Sequence, residues 1–283
     1  MTTNINWKEF ADLSQWQAAY SRISADLKNI PWLQAKVGKM MWSSAIPPRI
    51  HREIRKVAAW TGYPVDVVMA AQVVYDEAWN FGGDHPLMGC TSVSYKGRFG
   101  RNLDYGYPEN AADLVYHATI PLADKECLIE GFAGLLSFLA ITDSHVAVSL
   151  NQAPSARPLR RHRIPGLLWF RSSAENLMSS KDDLSDFGDV WLANPPASDV
   201  LLHYVIGNKS YIAETHDKQM MWKKMSGKVV QTNAYQLIDV RGSEQWEVES
   251  AERAAKARAG RSIPASLRAA YVDDWTIDTI ILK

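Results

Sequence analysis

Apolar side chains recur at Phe10, Leu13, Trp16, Ala19, Tyr20 and Ile23 with polar residues between them, a 3.6-residue period that predicts a helix over residues 8–29. Pro31 breaks it, and a second helix is expected over Leu33–Ser43 before Ile46-Pro47-Pro48 stops the chain again. Ile50, Ile54, Val57 and Ala58 share one face of a third helix, Pro48–Thr61. Pro64 opens a fourth, through Val65, Val68, Ala71, Val74 and Tyr75, since proline is tolerated in a first turn. The first eighty residues therefore read as mostly helical. Phe81–Gly89 is rich in turn formers and reads as a loop delivering the chain to Cys90.

Beyond residue 90 the period shortens. Thr91–Tyr95 and Arg101–Asp104 read as a hairpin around Lys96–Gly100. Further strands are expected at 114–120, 127–132, 145–151, 201–207, 210–214, 228–233 and 275–282, with an apolar run at 134–141 that fits a buried strand or a turn into one. Helices are expected over 165–177, 181–187, 247–259 and 262–270, and a surface loop over the Pro- and Arg-rich residues 152–164. Strands in two groups around helices predict an α+β fold, and the lack of regular alternation with helices argues against a doubly wound sheet.

Thirty-one basic and thirty-one acidic residues cancel, so composition gives no support for nucleic acid as a partner. Eleven Trp mildly favour a cleft for an amphiphilic or aromatic ligand. Cys90 and Cys127 make neither a disulfide framework nor a four-cysteine zinc site, and the seven histidines lack metal-ligand spacing, so no metal or cofactor is expected. No basic segment followed by an apolar run opens the chain and no apolar stretch is long enough to span a membrane, which leads to the expectation of a cytoplasmic protein.

Cys90 is the residue whose surroundings suggest chemistry. Alone it reads as a small buried hydrophobe, but Arg101 and Asp104 lie a hairpin's distance away. No histidine in the cluster presents itself as a base. Cleavage of the chain at Gly89–Cys90 would supply one, because the freed α-amine of Cys90 could take the thiol proton. Cys127 sits in an apolar run and reads as core.

Cys90-Thr91-Ser92-Val93 with Gly100-Arg101-Asn102-Leu103-Asp104-Tyr105 resembles the N-terminal nucleophile (Ntn) cysteine hydrolases, a family that includes acid ceramidase, N-acylethanolamine acid amidase, penicillin V acylase and bile salt (choloylglycine) hydrolase. The acid ceramidase and N-acylethanolamine acid amidase branch is the most similar. Glu53-Ile54-Arg55 through Tyr75-Asp76-Glu77, Phe132-Ala133-Gly134-Leu135, Val148-Ser149-Leu150-Asn151 and Val230-Gln231-Thr232-Asn233-Ala234-Tyr235 extend the resemblance in the right order. Asn151-Gln152 stands where that branch carries Asn-Glu; Gln152 keeps the size and loses the charge.

The resemblance implies a four-layer αββα sandwich with an N-terminal helical segment, divided into residues 1–89 as a propeptide or α-part and 90–283 as the catalytic β-part, the two forming one compact unit. It implies Cys90 as nucleophile in both self-cleavage and hydrolysis, Asp104 on its α-amine and Arg101 beside the thiolate. It further implies Asn233 as an oxyanion-hole donor, with Asn151 and Arg253 as further site residues. The implied substrate is a small-molecule N-acyl amine or N-acyl amino acid, cleaved through an acyl-thioester. An acyltransferase using the same thioester, or an inactive unprocessed homologue that binds an acyl ligand, would carry the same residues. A homo-oligomer is left open.

Overall fold

The computed structural model of the chain describes residues 5–41, 45–74, 88–105, 111–122, 124–153, 163–179, 196–216, 219–240, 244–272 and 276–282. The Gly89-preceding loop, the 181–187 helix, most of the Pro- and Arg-rich loop and the Tyr75-Asp76-Glu77 end of the fourth helix lie outside those residues.

Four helices open the fold: α1 (Leu13–Asn29), α2 (Pro31–Met41), α3 (Pro48–Thr61) and α4 (Val65–Val74). The expected first helix is divided. A 3-10 turn at Trp7–Glu9 comes first, and α1 starts only after Asp12, whose carboxylate accepts the N–H groups of Ser14 and Gln15. An acidic cap of this kind satisfies donors that a helix leaves orphaned, so the boundary is set by capping rather than by the apolar period. Gly62 closes α3 in the left-handed conformation (φ 80°) and its N–H donates to Ala58 O.

Eleven strands follow among the described residues. β1 (Met88–Tyr95), β2 (Arg98–Tyr105), β10 (Val229–Gln231) and β11 (Thr276–Ile281) make a four-stranded antiparallel sheet in the order β10-β1-β2-β11. The second sheet runs sequentially through seven antiparallel strands: β3 (Val115–Leu122), β4 (Lys125–Phe132), β5 (Phe138–Thr142), β6 (Val146–Gln152), β7 (Val200–Ile206), β8 (Lys209–His216) and β9 (Gln219–Met225). The β1–β2 turn is tighter than the sequence suggested. Only Lys96 (φ 49°) and Gly97 (φ 77°) lie between the strands, both left-handed, as a two-residue hairpin that follows strand twist requires.

The sheets face each other, with β1 packed against β6 and the Phe99 ring edge-on to His203 at 4.9 Å. Phe99, Ala140, Ala147, Val205, Ile280 and Leu282 fill part of the gap. α5 (Gly166–Ser179) covers β5 and β6, while α6 (Glu244–Ala259) and α7 (Ile263–Ala269) cover the small sheet through Val93, Val230, Ala254, Ala257 and Leu267. The result is an α+β fold of two antiparallel sheets with flanking helices. Among the described residues no helix is long and apolar enough to cross a membrane.

The N-terminal helices belong to the same hydrophobic core as the seven-stranded sheet and Cys90. Polar contacts reinforce that union. Arg171 on α5 makes a bidentate pair with Glu53 on α3 (2.8 and 3.0 Å) and reaches Glu175 and Leu136 O, all buried. Trp7 Nε1 donates to the same Glu53 carboxylate. Trp7, Trp16 and Trp60 pack ring on ring, with centroids 5.5 and 5.4 Å apart. These tryptophans therefore fill the helical layer rather than a cleft beside Cys90.

Candidate active site

Strand parity decides which groups can meet at Cys90. Successive side chains of a strand point to opposite faces, so Arg101 and Leu103 on β2 face the large sheet while Asn102 and Asp104 face the helices. The contacts agree: Arg101 Nη1 lies 2.7 Å from Glu130 Oε2 on β4, whereas Asn102 Nδ2 donates to Leu267 O on α7. The site is therefore assembled at the end of the small sheet from both of its faces.

Cys90 pairs with Leu103 across the hairpin, and Gly89 pairs with Asp104, so the Gly89–Cys90 peptide bond lies beside the Asp104 backbone. Arg101 Nη2 donates to Cys90 Sγ at 2.9 Å. The backbone N–H of Cys90 donates to Asn233 Oδ1 at 2.7 Å. Arg253 on α6 joins the remaining groups: Nη1 donates to Asp104 Oδ2 at 2.7 Å and Nη2 to Asn233 Oδ1 at 3.1 Å. Thr276 Oγ1 donates to the other Asp104 oxygen at 2.7 Å.

The structure thus brings Cys90, Arg101, Asp104, Asn233 and Arg253 into one hydrogen-bonded cluster. Asp104 meets Arg253 and Thr276 in the continuous chain, and the acceptor on the Cys90 nitrogen is Asn233. Asn151 sits one step back. Its Nδ2 donates to Gln231 O (3.0 Å) and Thr232 O (3.1 Å), fixing the β10 end from which Asn233 projects. The side chain of Gln152 lies outside the described residues.

Sequence reasoning missed several supports of this cluster. Trp246 on α6 lies under the Arg253 guanidinium, 5.7 Å from it, and its Nε1 donates to Asn233 O at 3.3 Å. Glu214 accepts the N–H groups of Gln236, Leu237 and Ile238 at 2.6–3.0 Å, shaping the turn that follows Asn233. Ser92 Oγ and Ser94 Oγ on β1 hold the two ring nitrogens of His203 on β7, at 3.0 and 2.8 Å, and so tie β1 to the large sheet. A Trp or Glu in the right segment was visible; its partner, set by tertiary register, was not.

Electrostatically, burial pushes the Cys90 thiol up, Arg101 pulls it down, and Asp104 and Glu130 push it up again. Cys90 is 1% exposed, so the continuous chain holds a protonated, enclosed thiol. Burial raises the Glu130 carboxyl to about 7 despite Arg101. His203 is fully buried and pushed down to about 3, so it stays neutral.

Among the described residues, donor atoms of His117, Glu130 and Asp278 converge within 4.8 Å, close enough in principle for a cation. Those donors already face protons and a guanidinium. His117 Nε2 is 2.7 Å from Asp278 Oδ2, and Glu130 lies against Arg101. The trio comes from three separate strands, which is why histidine spacing along the chain gave no hint of it.

No protein-family model and no curated protein matches the chain. Among solved structures, the chain is similar to a penicillin V acylase from Agrobacterium tumefaciens, with 12% identity, a TM-score of 0.36 and 63% of each chain covered. The chain thus spans under two thirds of that protein. Similarity at this level carries no chemistry across, so function has to be argued from the cluster around Cys90.

Proposed function

We propose that this chain is a self-processing cysteine amidohydrolase that cleaves linear, non-peptide amides through an acyl-thioester. One observation carries the reading. A single cysteine has its sulfur 2.9 Å from a buried guanidinium and its backbone nitrogen 2.7 Å from a buried carboxamide, at a peptide bond preceded by glycine. Both the attacking atom and the nitrogen that would leave are thereby held by fixed polar groups, the arrangement that acyl transfer at this bond requires.

In self-cleavage the Cys90 sulfur attacks the Gly89 carbonyl carbon. The S–C bond forms, the C–N bond breaks, and the thiol proton passes to the departing Cys90 nitrogen. Water then hydrolyses the thioester, releasing the Gly89 carboxylate and restoring the thiol beside a new α-amine. In substrate turnover that amine serves as the base for the thiol and, protonated, as the acid for the leaving amine. Arg101 stabilises the thiolate. Asp104, opposite Gly89 in the hairpin register and anchored by Arg253 and Thr276, is positioned to hold the ammonium once the chain is cut. Asn233 exchanges its contact with the Cys90 nitrogen for a role at the oxyanion, with Asn151 keeping its strand in place.

The layer order supports a four-layer αββα arrangement: α6 and α7, the small sheet, the large sheet, then α5 with the N-terminal helices. Residues 1–89 would be the α-part and 90–283 the β-part. The shared core and the Glu53–Arg171 pair would hold them together after cleavage.

Intact-mass spectrometry of purified protein, incubated at mildly acidic and neutral pH, tests the reading. Two fragments with Cys90 as the new N-terminus are expected, and none from Cys90→Ala. A wild-type chain that stays whole, together with undiminished N-acyl amide hydrolysis by Cys90→Ala, would refute it. Product analysis with a competing amine separates hydrolysis from acyl transfer.

A further inference from the structure

We propose that Glu130 is the counter-charge that keeps Cys90 a thiol, and that protonation of Glu130 hands the Arg101 guanidinium over to the sulfur. This deepens the reading of Cys90 as nucleophile and rests on it. Arg101 lies between two acidic groups: Nη2 meets Cys90 Sγ at 2.9 Å and Nη1 meets Glu130 Oε2 at 2.7 Å. Arg101 and Glu130 are fully buried and Cys90 nearly so. In so dry a setting, an ionised carboxylate and a thiolate on one guanidinium repel each other with little screening. The favoured states therefore carry one anion at a time, either carboxylate with thiol or carboxylic acid with thiolate.

The fold supplies Glu130 with a route for its proton. Between Thr276 and Asp278 the β11–β2 pairing slips by one residue, so Asp104 opposes Thr276 while Leu103 opposes Asp278. That bulge reverses the parity of β11. Thr276 consequently serves Asp104 on the helix side, and Asp278 turns inward, its carboxylate within 4.8 Å of that of Glu130. Asp278 Oδ2 in turn meets His117 Nε2, whose side chain is 41% exposed. Asp278 and His117 thus connect a fully buried carboxyl to solvent.

The charged and titratable groups facing Glu130 are Arg101 from β2, His117 from β3 and Asp278 from β11. Beyond Arg101 stand Cys90, Asp104 and Arg253, the last pair satisfied by each other. Burial holds Glu130 near 7, where small changes in its surroundings switch its charge. The protons balance. Sulfur gives up one, the Glu130 carboxylate takes up one, with Asp278 and His117 standing between Glu130 and solvent, and Arg101 keeps its own.

Glu130→Gln tests this, with ultraviolet thiolate absorbance followed against pH and Cys90→Ser as the blank that removes Cys127. The Cys90 thiol pKa is expected to fall by about one unit, giving about tenfold more thiolate at a fixed pH below it. An unchanged or raised thiol pKa would overturn the proposal. If Glu130→Gln does not fold, the infrared carbonyl band of a protonated carboxyl gives the answer from wild type and Cys90→Ser. Wild type should keep a residual band on the alkaline side of its first titration step, and Cys90→Ser should lose it; identical titrations would count against coupling. Both readouts report ionisation rather than turnover. A failure here with Cys90-dependent cleavage intact would leave the nucleophile reading standing.

Discussion

Replacing Arg253 by Met should unfasten the site without emptying its core. Arg253 is 7% exposed and makes two charge-assisted contacts, to Asp104 Oδ2 at 2.7 Å and to Asn233 Oδ1 at 3.1 Å. Methionine fills much of the volume over Trp246 but donates nothing. Asp104 is 1% exposed and would keep Thr276 as its side-chain donor while losing this cation. Removing one partner of a buried ion pair typically costs about 3–5 kcal/mol; the retained Thr276 hydrogen bond argues for the lower end, about 3 kcal/mol. Equilibrium urea unfolding followed by tryptophan fluorescence would report the loss as a lower midpoint at unchanged slope. Adding Asp104→Asn should recover more than half of it, because the stranded charge disappears. Under the proposed chemistry, self-cleavage in Arg253→Met should slow by about 100-fold, since Asn233 loses one of the donors that aim it. A stability loss under 1 kcal/mol, or a double variant no better than the single one, would refute the ion-pair reasoning.

His203 should make the protein acid-sensitive. Its pKa drops from 6.5 to about 3 on folding, so the stability it protects is complete above pH 6.5 and is lost as pH falls towards 3. The loss is up to about 5 kcal/mol by linkage; His203→Gln should flatten that acid limb in pH-dependent unfolding, and an unaltered slope would count against it. Glu214→Gln weakens the acceptor of three backbone N–H groups and should cost about 1–3 kcal/mol, with slower self-cleavage because the turn after Asn233 loosens. A Cβ on Gly131 would fall inside the ring of its cross-strand partner Tyr116, so Gly131→Ala should destabilise by about 1–3 kcal/mol and Tyr116→Ala should relieve the variant in a thermal melt.

The features legible in the sequence are those with a local cause. Apolar period, proline at helix starts and strand alternation located α3, α4, the β1–β2 hairpin and most of the large sheet. Cys90 and Arg101 were linked because a hairpin brings residues eleven apart together. β9 was missed for a physical reason: Gln219–Met225 is mostly exposed and pairs with β8 through backbone bonds, so it has no buried face to imprint alternation. Glu130 read as part of an apolar core strand, and Thr276 and Asp278 as members of a plain terminal strand. Their roles depend on which strand of which sheet they meet, and on a one-residue slip in β11 that no local pattern announces.

The hairpin and the α6 arginine differ in how far apart along the chain their partners lie. The Cys90–Arg101 contact spans eleven residues and closes cheaply, whereas Asn233 reaches back 143 residues to the Cys90 nitrogen and Arg253 reaches back 149 to Asp104. Long loops close late, because their entropy is lost before their contacts repay it. A nascent chain would therefore hold its sulfur and guanidinium together while remaining chemically silent. Only when the last quarter of the sequence has docked are the Gly89–Cys90 bond and its carboxamide in register. Under the proposed chemistry, cleavage becomes a timestamp of completed folding, and a chain truncated before α6 should persist uncut.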